Sequence, residues 1–284
     1  MANSIFNDSR PIGVFDSGIG GLTVLRALCS ELPSERFLYL GDTARLPYGT
    51  KSRDTIRRYA LLAAELLVAQ GIKCLVVACN TVSSIALDEL RRRFAPLPVV
   101  GVVDPGAAAG VQASRTGRIA VIATESTVQG GAYQRAIERL RPDARVVAKA
   151  CPLFVALAEE GWTTGAEVLG VAHRYLDPLF QSKSTGELPD TLVLGCTHFP
   201  VLIDALRQVV GDSVAIVDSA VTTAKALRRV LHHEGLAQDA GRQQSALQWH
   251  LMATDGRERF ARVGGLFLGE SVAPEDVDLV DIVG

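Results

Sequence analysis

The strongest constraint on this chain is a repeated alternation of short apolar runs with longer amphipathic ones. The short runs are Ile12–Phe15, Phe37–Leu40, Leu75–Ala78, Val99–Val103, Ile119–Ala123, Arg145–Ala148, Leu192–Gly195 and Val214–Val217. Most are rich in Val, Ile and Leu and lack polar alternation. A strand with one wet face alternates, whereas a strand covered on both faces is apolar throughout, as in parallel sheets. Between the runs lie stretches with helical spacing: Leu22–Glu31, Arg53–Gln70, Val82–Phe94, Val128–Leu140, Ala166–Phe180 and Val201–Val210. Strand and helix in alternation predict an α/β architecture with mainly parallel sheets.

An internal echo divides the chain. Ile12-Gly-Val-Phe-Asp-Ser17 is answered by Ile119-Ala-Val-Ile-Ala-Thr124, and each is followed by paired glycines. Leu75-Val-Val-Ala-Cys-Asn-Thr81 is answered by Leu192-Val-Leu-Gly-Cys-Thr-His198, and Val100-Gly-Val-Val-Asp104 by Val214-Ala-Ile-Val-Asp218. The shared order predicts two similar α/β units. With 284 residues, 48% of them hydrophobic, two such cores are affordable. The expected division is 1–99 plus about 212–235 for the first unit, and 100–211 plus the tail 236–284 for the second. Polar loops are expected at Lys183–Pro189 and Gly235–Ser245.

Composition removes several functions. The net charge of −2 and 6% aromatic content offer no basic, aromatic-interleaved surface for nucleic acid. Met1 to Pro11 is polar, and the apolar stretch Leu61 to Cys79 is broken by Glu65, Gln70, Gly71 and Lys73. Neither reads as a signal core or a membrane span, so a soluble cytoplasmic protein is expected. Five cysteines, Cys29, Cys74, Cys79, Cys151 and Cys196, with no C-x-x-C, argue for reduced thiols rather than a disulfide framework.

Ligands of parallel α/β sheets bind beyond the carboxyl ends of the strands, and four segments lie there. Asp16-Ser-Gly-Ile-Gly-Gly21 is a glycine turn opening a helix. It fails the dinucleotide fingerprint because Thr23 stands three residues after Gly20. Gly41-Asp-Thr-Ala-Arg-Leu-Pro-Tyr-Gly49 is a shaped loop offering the Tyr48 phenol and backbone groups. Cys79-Asn-Thr81 and Cys196-Thr-His198 each close an apolar strand with a thiol, where a following helix N-terminus favours thiolate. Cys29, Cys74 and Cys151 hold no matching strand ends and read as filler.

Two thiols in matched places suit one reaction in particular. Inverting an α-carbon requires removing a proton from one face and delivering one to the other, which takes two groups, one deprotonated and one protonated. Thiols have a reference pKa of about 8.5, and donors at the substrate carboxylate stabilise the carbanion. Backbone amides of the glycine turns with Ser17, Thr81 and Thr197 fit that task, and Asp16 and His198 fit as helpers of the thiols.

At these residues the chain resembles glutamate racemase, of the aspartate/glutamate racemase superfamily. The matching segments are Phe15-Asp-Ser-Gly-Ile-Gly-Gly-Leu22, Gly41 to Gly49, Val77-Ala-Cys-Asn-Thr81, Gly101-Val-Val-Asp-Pro105 and Leu194-Gly-Cys-Thr-His-Phe-Pro200, in family order. The resemblance implies two pseudo-symmetric α/β domains with the active site between them. It implies interconversion of L- and D-glutamate without pyridoxal phosphate or metal, D-glutamate feeding peptidoglycan, and homodimers as a common state. It makes Cys79 and Cys196 the acid/base pair, the first handling the D- and the second the L-enantiomer. It carries substrate-contacting or thiol-supporting roles to Asp16, Ser17, Tyr48, Gly49, Asn80, Thr81, Thr197 and His198, and an additional carboxylate to Glu159. Two departures, Ala156 for a more usual proline and Phe199 for a commoner tyrosine, touch none of the expected chemistry. The rivals are a sister racemase acting on aspartate or another small acid, a zinc hydrolase built on Cys79, Cys196 and His198, and a non-catalytic binder on the same fold.

Overall fold

The computed structural model describes residues 8–181, 188–238 and 248–282. The expected polar loops fall largely on residues 182–187 and 239–247, outside the described residues. In chain order the strands are β1 (Ile12–Asp16), β2 (Phe37–Gly41), β3 (Cys74–Val77), β4 (Val99–Gly101), β5 (Arg118–Ala123), β6 (Arg145–Ala150), β7 (Thr191–Gly195), β8 (Ala215–Asp218), β9 (Trp249–Ala253) and β10 (Val277–Leu279). They form two wholly parallel sheets, ordered β10-β9-β2-β1-β3-β4 and β6-β5-β7-β8. Without β9 and β10 the first order, 2-1-3-4, is that of the second sheet. The ordered echo in the sequence is therefore a shared topology, and all eight strands read from the apolar runs are present.

Both faces of the first sheet are covered, as its unbroken apolar strands require. Leu22, Leu25 and Leu28 of the Leu22–Glu31 helix pack on one face. Leu227 and Leu231 of the Ser219–His233 helix join them there, with Phe260 and Phe267 of the tail helix, Arg257–Leu268. Ile56, Ala60, Ala63 and Leu67 of the Arg53–Ala69 helix cover the other. Each such Leu or Phe, fully buried, contributes about 1.5–3 kcal/mol. Lys73, which interrupts the apolar run in the sequence, has a fully buried side chain whose Nζ lies 2.5 Å from Glu35 Oε2 and donates to the Asp8 and Leu236 carbonyls.

Strand pairing departs from the expected division of the chain. The tail, expected with the second unit, puts β9 against β2 and β10 against β9 in the first sheet. The 212–235 segment, expected with the first, is split: β8 pairs with β7 in the second sheet, while the Ser219–His233 helix packs on the Leu22–Glu31 helix. The free edge of β2 explains the tail, since an unpaired edge must be paired or covered. Two expected helices are each broken in two. Val82–Phe94 divides at Ala86, and Val128–Leu140 divides at Gly131, whose φ of +63° only glycine adopts readily. Helices Val103–Ala113, Pro152–Glu159, Ser219–His233 and Arg257–Leu268 are additional to those read from the sequence. Among the described residues, no helix is long and apolar enough to cross a membrane.

Candidate active site

The carboxyl ends of β1, β3, β5 and β7 surround a cavity of about 410 Å³ whose lining comes from both units. Cys79 and Cys196 both line it, as do Ser17, Tyr48, Gly49, Asn80, Thr81, Thr197, His198 and Glu159. Asp16, the remaining expected site residue, lies behind the lining, fully buried at the end of β1. Gly18 N–H donates to Asp16 Oδ2 at 2.9 Å, and Oδ1 has no partner among the described residues. Burial raises this carboxyl above its ordinary range, with the nearby His198 opposing. Gly21 makes room for it, because a Cβ there would stand 2.4 Å from Asp16 Cβ.

Cys79 caps the short Asn80–Ile85 helix, and its Sγ–H donates to Ser17 Oγ at 3.4 Å. The expectation that this helix end would favour thiolate does not hold. Burial pushes the thiol up to about 12, and the Asp16 charge adds to it, outweighing the opposing hydrogen bonds. Cys79 is thus held neutral.

Cys196 follows β7, the strand matching β3. Its Sγ faces His198 Nδ1 at 3.7 Å, and His198 Nε2 lies 3.1 Å from Glu159 Oε1. Glu159 Oε2 in turn accepts from Arg259 Nη2 at 2.9 Å. Burial lowers the affinity of His198 for its proton, but the hydrogen bonds to Cys196 and Glu159 prevail and raise it to about 10. Burial pushes Glu159 the other way, and its bonds from His198 and Arg259 leave it below the usual carboxylate range. His198 and Glu159 are therefore an imidazolium–carboxylate pair beside a thiol. The first unit presses on them directly: a Cβ on Gly20 would lie 2.5 Å from His198 Nδ1 and 2.6 Å from Thr197 Oγ1. Thr23 Oγ1 donates across the same junction to the Thr197 carbonyl at 3.0 Å.

The remaining lining supplies donors and walls. Asn80 Oδ1 accepts from the Tyr133 hydroxyl at 2.7 Å, while its buried Nδ2 has no partner among the described residues. Thr81, Thr124 and Thr127 share a hydroxyl cluster with separations of 2.9, 3.3 and 2.9 Å. Tyr48 is almost wholly buried, and its hydroxyl donates to Asp42 Oδ2 at 2.5 Å. Its phenol is therefore an anchor for the loop, with burial raising its pKa far above the ordinary range. Gly49 lies against Thr124, where a Cβ would approach to 3.0 Å, and its carbonyl accepts from Ser126 Oγ at 2.7 Å.

Sequence reasoning missed Thr50, Thr124, Glu125 and Arg259 among the polar residues of this lining. Thr124 was findable, since it answers Ser17 in the internal echo. Arg259 had no local signal. Cys29, Cys74 and Cys151 do not line the cavity, and burial pushes each up to about 12, as it does Cys79. Among the described residues, no three His, Cys, Asp or Glu side chains gather as candidate metal ligands.

Known proteins resemble this chain in sequence and fold. The Asp/Glu/Hydantoin racemase family model matches residues 20–227. The chain belongs to that family. It is 46% identical to the glutamate racemase of Geobacter metallireducens, with 92% of this chain and 93% of the relative covered. Among solved structures, the glutamate racemase isoform RacE1 of Bacillus anthracis superposes with a TM-score of 0.88 at 33% identity, covering 97% and 98% of the two chains. The Francisella tularensis glutamate racemase, solved with D-glutamate, superposes with a TM-score of 0.86 at 35% identity over the same shares. The resemblance read from five short motifs thus extends over nearly the whole chain, and this racemase is an isomerase with the two-unit fold of those enzymes.

Proposed function

We propose that this racemase interconverts L- and D-glutamate by cofactor-independent, two-base proton transfer between Cys79 and Cys196, and that its D-glutamate supplies peptidoglycan synthesis. The observation that carries the reading is that both thiols follow the third strand of the 2-1-3-4 order that the two sheets share, and line one cavity. Two acid/base groups from opposing units reach opposite faces of an α-carbon held between them, which is the requirement for inversion.

In the L-to-D direction Cys196 removes the α-proton, with the His198–Glu159 pair at its back to hold or exchange a proton. Cys79, kept neutral by burial, delivers a proton to the other face. In the reverse direction the roles exchange, and Asp16, close enough for its charge to act on Cys79, assists that thiol. Hydroxyls of Thr81 and Thr197 and the Asn80 amide supply hydrogen bonds to the substrate carboxylate, where charge builds up as the proton leaves. Glutamate is favoured because the relatives matching along most of the chain are glutamate racemases.

The test is incubation of the protein with L-glutamate in D2O, with optical activity and the α-proton NMR signal followed together and L-aspartate run in parallel. Both glutamate signals should decay without added cofactor. Cys79→Ser and Cys196→Ser should each slow racemisation by about 10²–10⁴-fold, the usual weight of a positioned acid or base. Full activity in either variant would sink the two-thiol mechanism, and faster turnover of aspartate would overturn the substrate assignment.

A further inference from the structure

Arg259 is the one guanidinium among the described residues lining the cavity. It stands on the tail helix, whose Phe260, Val263 and Phe267 are built into the core of the first unit. Its partner Glu159 ends the Pro152–Glu159 helix, whose Phe154 belongs to the core of the second unit. One oxygen of Glu159 meets Arg259 at 2.9 Å and the other meets His198 Nε2 at 3.1 Å, while His198 Nδ1 faces Cys196 Sγ. The line of contacts from Arg259 through Glu159 and His198 to Cys196 therefore begins in one unit and ends at a thiol of the other.

We infer that Arg259 is a positioning residue for the Cys196 half of the reaction, and that the relay behind Cys196 is complete only when the two units are closed on each other. The inference deepens the two-thiol reading and rests on it. A glutamate side chain loses several rotatable bonds' worth of freedom when both its oxygens are fixed, and a planar guanidinium is the group suited to fixing one of them. With Oε2 held, Oε1 stays aimed at Nε2. Arg259 is itself 44% exposed, so solvent screens the ion pair and its share of overall stability is small. Its effect is on where Glu159 points.

The charges around the relay favour this role. Glu159 faces His198 from the β7 loop and Arg259 from the tail helix, and it feels Asp16 from the end of β1. His198 faces Cys196 on its own loop, Glu159 on the Pro152–Glu159 helix and Asp16 on β1. Without Arg259, Glu159 keeps His198 as its cationic partner and Asp16 as an acidic neighbour, and among the described residues no other cation of the first unit pairs with it. If the units part, the tail helix leaves with the first unit and takes the guanidinium with it. Closure around substrate would then assemble the proton relay as well as exclude water.

The experiment is an NMR titration of the full chain labelled with ¹⁵N in its five histidines, comparing the parent with Arg259→Gln and Arg259→Lys. His198 is assigned by its loss in His198→Gln. Racemisation kinetics in both directions and thermal unfolding are measured on the same samples. In Arg259→Gln the His198 ring should titrate at lower pH than in the parent. Its kcat/KM should fall about 10–100-fold, the usual scale for an outer partner that orients a reacting group. The fall must be equal in both directions, because the enantiomers have equal free energies. Arg259→Lys, which keeps the charge without the fork, should recover part of both. An unchanged His198 titration in Arg259→Gln would overturn the inference. So would equal impairment of the Gln and Lys variants accompanied by a lower Tm, the mark of a mere strut. The titration needs no substrate, so it reports on Arg259 whether or not glutamate is turned over. The cysteine variants report separately on the two-thiol mechanism.

Discussion

Replacing Tyr48 with phenylalanine separates two roles that the sequence left together. The residue lines the cavity, yet its hydroxyl donates to Asp42 Oδ2 at 2.5 Å. Asp42 is fully buried, and its other oxygen accepts from Arg45 Nη1 at 3.0 Å and Thr254 Oγ1 at 2.9 Å. Tyr48→Phe therefore leaves one buried carboxylate oxygen without its donor while preserving the shape of the ring. Losing a hydrogen bond to a charged group costs about 1.5–3 kcal/mol. At roughly 2–4 °C per kcal/mol for a chain of this size, Tm should fall by about 3–12 °C. The substrate should hardly notice: KM for L-glutamate should change less than about threefold, or under about 0.7 kcal/mol of binding. Thermal unfolding by circular dichroism and polarimetric kinetics on one preparation make the comparison. An unchanged Tm with a KM raised more than about tenfold, or about 1.4 kcal/mol, would show that the phenol binds substrate and that its bond to Asp42 is incidental.

Two further outcomes follow from local geometry. Gly20→Ala places a methyl 2.5 Å from His198 Nδ1, which should cost about 1–3 kcal/mol of stability by overpacking and slow racemisation by about 10²-fold through a displaced imidazole. Paired unfolding and rate measurements check this, and a variant with parental rate and stability would contradict the tight contact. Burial alone would raise Asp190. Hydrogen bonds from Ser114 Oγ, Thr116 N–H and the Thr191 hydroxyl outweigh it and hold the group at about 2, below its ordinary 3.8. A folded-state value below the unfolded one gives stability that is present above the ordinary value and lost as pH falls through the folded one. Urea midpoints between pH 5 and 2 should thus fall more steeply in the parent than in Asp190→Asn, and parallel curves would refute the assignment.

The two strand-end thiols that line the cavity were legible because their signal is local. Cys79 and Cys196 each end an apolar run, and the repeat of that pattern marks them out from Cys29, Cys74 and Cys151. Thr124 was equally visible in the repeat. The Val103–Ala113 helix was hidden by its composition, since Pro105, Gly106 and Gly110 are poor helix formers. The structure places Pro105 in the first turn, where no backbone donor is needed. It uses Gly110 to bring the helix against β7, a Cβ there standing 2.7 Å from Val193 Cγ2. Arg259 was illegible for another reason: its position depends on β9 finding the edge of β2, more than 200 residues earlier in the chain. No window along the sequence contains that partnership. The helix-end argument for Cys79 failed because burial and the Asp16 charge, both products of tertiary packing, outweigh a single short helix.

The pairing of β9 and β10 with β2 also fixes an order of events during synthesis. All four strands of the second sheet lie between Arg118 and Asp218, so that sheet can be completed as soon as this stretch has left the ribosome. The first sheet, begun at Ile12, keeps one edge open until Trp249–Ala253 and Val277–Leu279 arrive. The half of the molecule that starts first is thus finished last, and Arg259 lies between the two strands that close it. A nascent chain that has released Asp218 but not yet Arg259 can hold both strand-end thiols in folded surroundings without the guanidinium that meets Glu159.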